Sequence, residues 1–265
     1  MHPILFQIEA AGITRTFTTY GVMAVIGIFT GALLSIRIAK KRGYNAFDFT
    51  NIIALLVAGG IVVSLFTHFL IFLPERLAAP SFWEMQWGVV SWGGVVGGFL
   101  AALYASRAWK IPLLRLGDIV IPGVALGFAF GRLGCFFAGC CYGLHYDGLL
   151  HLTFTHPLAP AAMEMQPLFP IQPLSAALLF ALCLILLWVV KKQFVEGMAV
   201  VVYAILYSIG RFTIEFFRND PRGIYLHLSD AQWYSLFLFT VGVLLWFYLS
   251  RRGKKSAPHE ENYGH

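Results

Sequence analysis

Residues 119–143 read IVIPGVALGFAFGRLGCFFAGCCYG, and Arg132 is the one fixed charge in these 25 residues. A run of about 20 apolar residues is long enough to cross a bilayer as a helix. An arginine in such a helix costs about 2.5–3.5 kcal/mol on insertion scales, so Arg132 must face the protein interior or a watery cavity. No acid lies within a helical turn of it. Its partner therefore comes from another helix or from a ligand. Gly123, Gly127 and Gly131 recur every four residues along the same stretch. That small-xxx-small pattern lets helices approach closely.

Working outward, six more apolar runs have spanning length: 16–36, 49–74, 85–106, 165–190, 197–217 and 231–250. The chain of 265 residues is 58% hydrophobic and 12% charged, against about 25% charged in a soluble domain. The mean hydropathy is +0.73. The expected fold is an all-α, polytopic membrane protein with seven transmembrane helices and a small external cap. Residues 1–253 form the membrane domain, with an external loop at about 142–171, and 254–265 form a disordered cytoplasmic tail. Of the 19 Lys and Arg, 13 fall on one side of this arrangement, in the first, third and fifth connections and the C-terminal tail. By the positive-inside rule the N-terminus lies outside and the C-terminus in the cytoplasm. The first span is not a cleavable signal, because its basic cluster follows the apolar run. No nucleic-acid-binding face is present.

The sixth run carries a second polar group. Tyr207, Arg211, Glu215 and Arg218 are spaced at i, i+4, i+8 and i+11, which lines one face of a helix. Arg211 and Glu215 can neutralise each other as an i,i+4 pair. The alternative is a polar wall facing a lipid headgroup. A guanidinium fork suits bidentate contacts to phosphate, so Arg132 and Arg211 on two helices could clamp one phosphodiester.

These motifs resemble the prolipoprotein diacylglyceryl transferase family. G-R-L-G at 131–134 and Y-x3-R-x3-E-F-F-R at 207–218 carry the resemblance. Thr19-Tyr20-Gly21, Pro170 and Gln172, and Gln232 match it in order along almost the whole chain. The resemblance implies transfer of the diacylglyceryl group of phosphatidylglycerol to the lipobox cysteine of a preprolipoprotein signal-peptide segment. A thioether forms and glycerol phosphate leaves. It implies a multi-pass protein of the bacterial inner membrane, surrounded by membrane lipids, with no cofactor and no metal. Arg132 and Arg211 would be the catalytic cations for the departing phosphate. Tyr20, Trp92, Gly93, Gly94, Gly131, Gly134, Cys135, Cys140, Gly143, Tyr207, Glu215 and Arg218 would bind substrate. The chain departs from the family pattern in several places. Cys135 stands where the family commonly has Asn, Cys140 where it has Glu, and Trp92 where it has a histidine before Gly-Gly. His145 is a candidate substitute base, against the plainer reading of a solvated loop histidine.

Cys183, in a Leu-rich run, reads as a buried hydrophobe. Cys135, Cys140 and Cys141 read as membrane-tolerant packing, as a disulfide on an oxidising outer face, or as a metal or redox site. C-x4-C-C has no standard zinc spacing. Two other functions compete: a phospholipid-headgroup transferase with a different acceptor, and a membrane thiol oxidoreductase.

Overall fold

The computed structural model describes residues 3–10, 13–78, 90–192, 195–219 and 223–255. The chain opens with a hairpin absent from the sequence expectation, β1 (Ile4–Ala10) paired antiparallel with β2 (Ile13–Thr18). The alternating ITRTFT run has the β-branched content of a strand, and Phe6 stacks across the hairpin on Phe17 with centroids 4.6 Å apart. The first helix therefore starts at Thr19, not Thr16. Thr18 caps it, its Oγ1 accepting from Gly21 N at 3.1 Å.

Eight α-helices follow among the described residues: α1 (Thr19–Lys41), α2 (Ala46–Ile71), α3 (Leu73–Ala78), α4 (Ser91–Ala108), α5 (Leu113–Ala138), α6 (Ile171–Lys192), α7 (Met198–Glu215) and α8 (Asp230–Lys255). Six of them, α1, α2, α5, α6, α7 and α8, are long and apolar enough to cross a membrane. Val25, Phe29, Leu184, Trp188, Phe237 and Leu244 stay exposed along these helices. Apolar side chains facing outward on helices of this length are what a hydrocarbon solvent requires. The protein is a polytopic, all-α membrane protein.

The expected third span corresponds to α4. At 18 residues, with four glycines and Arg107, it is not among the six. Residues 85–89, where that span was expected to start, lie outside the described residues, as do residues 256–265 of the expected tail. The helical part of the tail extends to Lys255.

The chain divides into two compact units, residues 35–116 and residues 1–34 with 117–265. In the first, α2 packs on α4 through glycines. A Cβ on Gly93 would lie 2.6 Å from Ser64 Cα, and one on Gly97 would strike Gly59 O.

In the second unit, α1 meets α5 in the same way. A Cβ on Gly31 would lie 2.5 Å from Gly123 O, and one on Gly27 would lie 2.8 Å from Gly127 O. Gly131, the third member of the expected series, has nothing within 4 Å of a built Cβ and takes no part in this seam. Ala125 and Ala129 of α5, Leu182 and Leu186 of α6, and Ala199 and Tyr203 of α7 form the core. Cys183 is buried there, its thiol donating to Pro122 O at 3.4 Å. The start of α7 is capped from α5. The buried Asp118 carboxylate accepts from Gly197 N at 2.7 Å and Ala199 N at 2.9 Å. A carboxylate there satisfies orphan helix donors and complements the helix dipole. α8 packs on α7 where a Cβ on Gly242 would lie 2.9 Å from Ala204 Cβ.

Between α5 and α6 a small segment folds on itself. Leu168 pairs with both His145 and Leu152, and Tyr142, Phe154, Ala159, Ala161 and Leu168 bury one another. A 3₁₀ turn, Pro160–Glu164, completes it. This segment occupies the residues expected to form the external cap.

Gly31→Ala is expected to force α1 and α5 apart and cost about 1–3 kcal/mol, the usual range for overpacking. Gly131→Ala adds a methyl to open space and should leave stability unchanged. Thermal unfolding of the two variants in detergent separates them. Equal midpoints would show that the glycine seam is not needed.

Candidate active site

The site begins at the end of α5. Gly139 has φ +69°, the left-handed conformation that ends a helix. Its N–H donates to Phe136 O at 3.3 Å, and Cys140 N–H reaches back to Cys135 O at 3.2 Å. These two bonds make a Schellman motif, which folds Cys140 back beside Cys135. The helix thus stops at Ala138, short of the sequence expectation, and Cys140, Cys141 and Gly143 lie beyond it. A Cβ on Gly139 would sit 2.5 Å from Ala159 Cβ, so the cap packs directly on the turn.

The chain then pairs with the segment that follows α7. Gly143 bridges Arg218 antiparallel, Leu144 N donates to Phe217 O at 3.0 Å, and Asn219 N donates to Tyr142 O at 3.2 Å. A Cβ on Gly143 would lie 2.6 Å from Phe169 O, which only glycine avoids. Arg218 is therefore not on the α7 face as the spacing implied. It follows the helix, which ends at Glu215, and its backbone pairing holds it near the cysteines.

Glu215 is the centre of the charged group. It is buried, and its Oε2 lies 2.5 Å from Arg211 Nη1, an ion pair without hydrogen-bond alignment. Arg218 Nη1 lies 3.8 Å from the same oxygen. Ser229 Oγ donates to Glu215 Oε1 at 2.9 Å. Ser229 also caps α8 with Gln232: Ser229 N donates to Gln232 Oε1 at 2.9 Å, and Gln232 N donates to Ser229 Oγ at 3.3 Å. That S-x-x-Q capping box, set on the short β3 (Ile224–Tyr225) and β4 (Leu228–Ser229) hairpin, ties α8 to the carboxylate.

Arg132 lies within electrostatic range of Arg211, Tyr20, Cys135 and Cys141. It forms no ion pair with a described residue. Tyr20 packs over Gly134, where a built Cβ would lie 3.1 Å from the Tyr20 ring. Tyr207 also bears electrostatically on Arg211 and stacks on Tyr203, with centroids 5.1 Å apart. The fold thus brings together Tyr20, Arg132, Gly134, Cys135, Cys140, Gly143, Tyr207, Arg211, Glu215 and Arg218. Trp92, Gly93 and Gly94 lie in the unit of residues 35–116, where Gly93 serves the α2–α4 seam. Gly131 sits beside Arg132 in open space.

Ser229 escapes a reading of motifs, and Gln172 and Cys141, though singled out in the sequence, were not among the expected substrate-binding residues. Ser229 orients Glu215, and the S-x-x-Q spacing was its available signal. Buried Gln172 donates through Nε2 to Cys140 O at 3.0 Å, and its Oε1 has no partner among the described residues. Cys141, at φ 56°, turns its sulfur back toward Cys135 and Cys140. Its thiol is held well below the ordinary thiol range. Donation from Cys135 and Cys140 outweighs burial there, and Arg218 and Arg132 add to it. The Cys140 thiol is pushed up, its proton kept by hydrogen bonding to Cys135 and Cys141 and by burial. His145 is the solvated loop residue of the two readings: it is 47% exposed and lies 3.5 Å from Asp147.

Fold and site together define a membrane-embedded protein with three half-buried arginines, Arg132, Arg211 and Arg218, near the ends of α5 and α7. Comparison with known proteins narrows this. The profile of the prolipoprotein diacylglyceryl transferase family matches residues 3–248. A phosphatidylglycerol–prolipoprotein diacylglyceryl transferase 2 of Clostridium perfringens is 38% identical over 240 residues, covering 89% of this chain and 93% of its own. A transferase of the same designation, without the number, from Clostridium tetani is 33% identical over 247 residues, covering 92% and 96%. One from Dehalococcoides mccartyi is 31% identical over 245 residues, covering 89% and 91%. The chain belongs to the prolipoprotein diacylglyceryl transferase family.

Removing one partner of a buried ion pair costs about 3–5 kcal/mol. Glu215→Gln, which removes the carboxylate that Arg211 and Arg218 share, is expected to fall in that range. Ser229→Ala loses a cap and one hydrogen bond to a charge, and should cost about 1–3 kcal/mol. Chemical unfolding of the two variants tests the order. A Glu215→Gln protein as stable as the parent would show that the carboxylate is not the hub.

Proposed function

We propose that this chain transfers the diacylglyceryl group of phosphatidylglycerol to the cysteine thiol of a preprolipoprotein signal-peptide segment. The observation that carries the reading is the charge balance at the site. Arg211 and Arg218 share one carboxylate, Glu215, and Arg132, which bears electrostatically on Arg211, has no acid among the described residues. Unmatched cations are costly in a membrane interior. An anionic phosphodiester supplies a counter-charge.

In the reaction the acceptor sulfur attacks the glyceryl carbon that bears the phosphate. The C–S bond forms, the C–O bond breaks, and glycerol phosphate departs with the electron pair. The acceptor thiol gives up its proton to water. Charge grows on the leaving oxygen, and fixed cations aimed at it stabilise that transition state. Arg132 and Arg211 take this role. Glu215, held by Ser229, orients Arg211, and Tyr20, Tyr207 and Arg218 bind headgroup oxygens. Gln172 Oε1, a buried acceptor, suits a backbone N–H of the acceptor segment.

The site lies at the end of the helices opposite the basic residues Lys191, Lys192 and Arg251 that close α6 and α8. The positive-inside rule then places it at the outer face of the bacterial inner membrane, with the N-terminus outside. A cysteine at Leu149, which is 98% exposed in the cap, is expected to react with a membrane-impermeant maleimide added to intact spheroplasts. Labelling only after lysis would reverse the orientation.

In bilayers containing phosphatidylglycerol, a lipobox peptide should gain the mass of one diacylglyceryl group. Arg132→Ala and Arg211→Ala are each expected to lower turnover by about 10²–10³, the usual loss for one transition-state donor. Arg132→Lys keeps the charge without the fork and should recover only part of it. Full transfer by both alanine variants, with helical content intact, would end this reading.

A further inference from the structure

The transfer chemistry above makes no use of the three sulfurs beside it. Cys135, Cys140 and Cys141 are free thiols, and their Sγ atoms all lie within 4.8 Å of one another. Several backbone features converge to put them there. The Schellman bonds at Gly139 return Cys140 to Cys135, and Cys140 Sγ sits 3.9 Å from Cys135 O. Cys141 adopts φ 56°, a left-handed conformation that a β-carbon disfavours. Strain of this kind persists where the surrounding structure imposes it, and such positions cluster at ligand sites. Here the Tyr142–Asn219 and Leu144–Phe217 backbone bonds hold the next residues in place. Cys135 is buried and the other two are half-buried, so the cluster is shielded yet reachable.

The ligand set is three sulfurs, with no His, Asp or Glu joining them among the described residues. Structural zinc is almost always four-coordinate and tetrahedral, and three cysteines without a fourth side chain do not complete that set. Soft thiolates select copper(I). A three-thiolate complex of a monovalent cation carries two negative charges. Arg132 and Arg218, both of which bear on Cys141, are the cations that would offset them.

We propose that Cys135, Cys140 and Cys141 form a binding site for one soft monovalent cation, copper(I). Three S–Cu bonds form, and the thiol protons pass to water. No oxidant or reductant is involved.

The test uses the full reduced chain in lipid nanodiscs under anaerobic conditions. Copper(I) is supplied as its bathocuproine disulfonate complex, and loss of the chelate's colour reports transfer of metal to the protein. One equivalent per chain is expected, with three sulfur neighbours in the copper X-ray absorption spectrum. Cys135→Ser, Cys140→Ser and Cys141→Ser should each weaken binding about tenfold or more, and the triple variant should abolish it. Cys183→Ser should bind as the parent does. Circular dichroism verifies folding, and if the triple variant is unfolded the single variants and the sulfur count decide. Absence of uptake, uptake undiminished by the cluster substitutions, or zinc(II) held as tightly as copper(I) would overturn the proposal. The readout is metal binding, so its outcome is independent of the transferase reading.

Discussion

A carboxylate buried between two guanidinium groups cannot shift without exposing uncompensated charge to a low-dielectric surround. Glu215 is in that position, with Arg211 and Arg218 on one oxygen and Ser229 on the other. Desolvating such a group is expensive, and the expense is met only when each partner is in place. The consequences spread along the chain. Ser229 is fixed as the cap of α8, so α8 is tied to the end of α7. Arg218 is fixed beyond α7, so the strand-like pairing with Gly143 is held, and with it the cap between α5 and α6. One carboxylate thus aligns the ends of three helices around the site.

Close packing supplies the second constraint. Lipid gives helices no hydrophobic reason to associate, so van der Waals contact and short polar bonds must do it. The α1–α5 and α2–α4 seams are both built on glycines that leave no space for a β-carbon. Asp118 adds a polar tie from α5 to the start of α7, where three orphan amides need an acceptor. With α1 and α5 in close contact, Tyr20 rests on Gly134, beside the turn that carries the cysteines.

Much of this is legible along the chain. The apolar runs specify helices of spanning length because backbone polar groups in hydrocarbon must be satisfied within the segment. Arg132 and Arg211 stand out because charge inside such runs is costly. The family resemblance carried by G-R-L-G and Y-x3-R-x3-E-F-F-R agrees with the profile match across residues 3–248. The limits of the helices were harder to read. Hydropathy continues through Gly139, whereas a left-handed turn ends α5 there. The Thr-rich start of the first apolar run, Thr16–Thr18, pairs instead as a strand with Ile4, Phe6 and Gln7, upstream of the expected span.

The sequence by itself determined a multi-pass helical protein, the two arginines that cannot face lipid, and the family to which they point. These follow from local composition, since the penalty for a misplaced charge or an unsatisfied amide is set by the solvent around each segment. The tertiary structure decided which charges meet. It left Arg132 without an acid among the described residues, placed Ser229 on Glu215, moved Arg218 off its helix, and drew three sulfurs into one cluster. Those outcomes depend on pairings between residues tens of positions apart and on two left-handed residues, Gly139 and Cys141. No periodicity along the chain encodes such contacts.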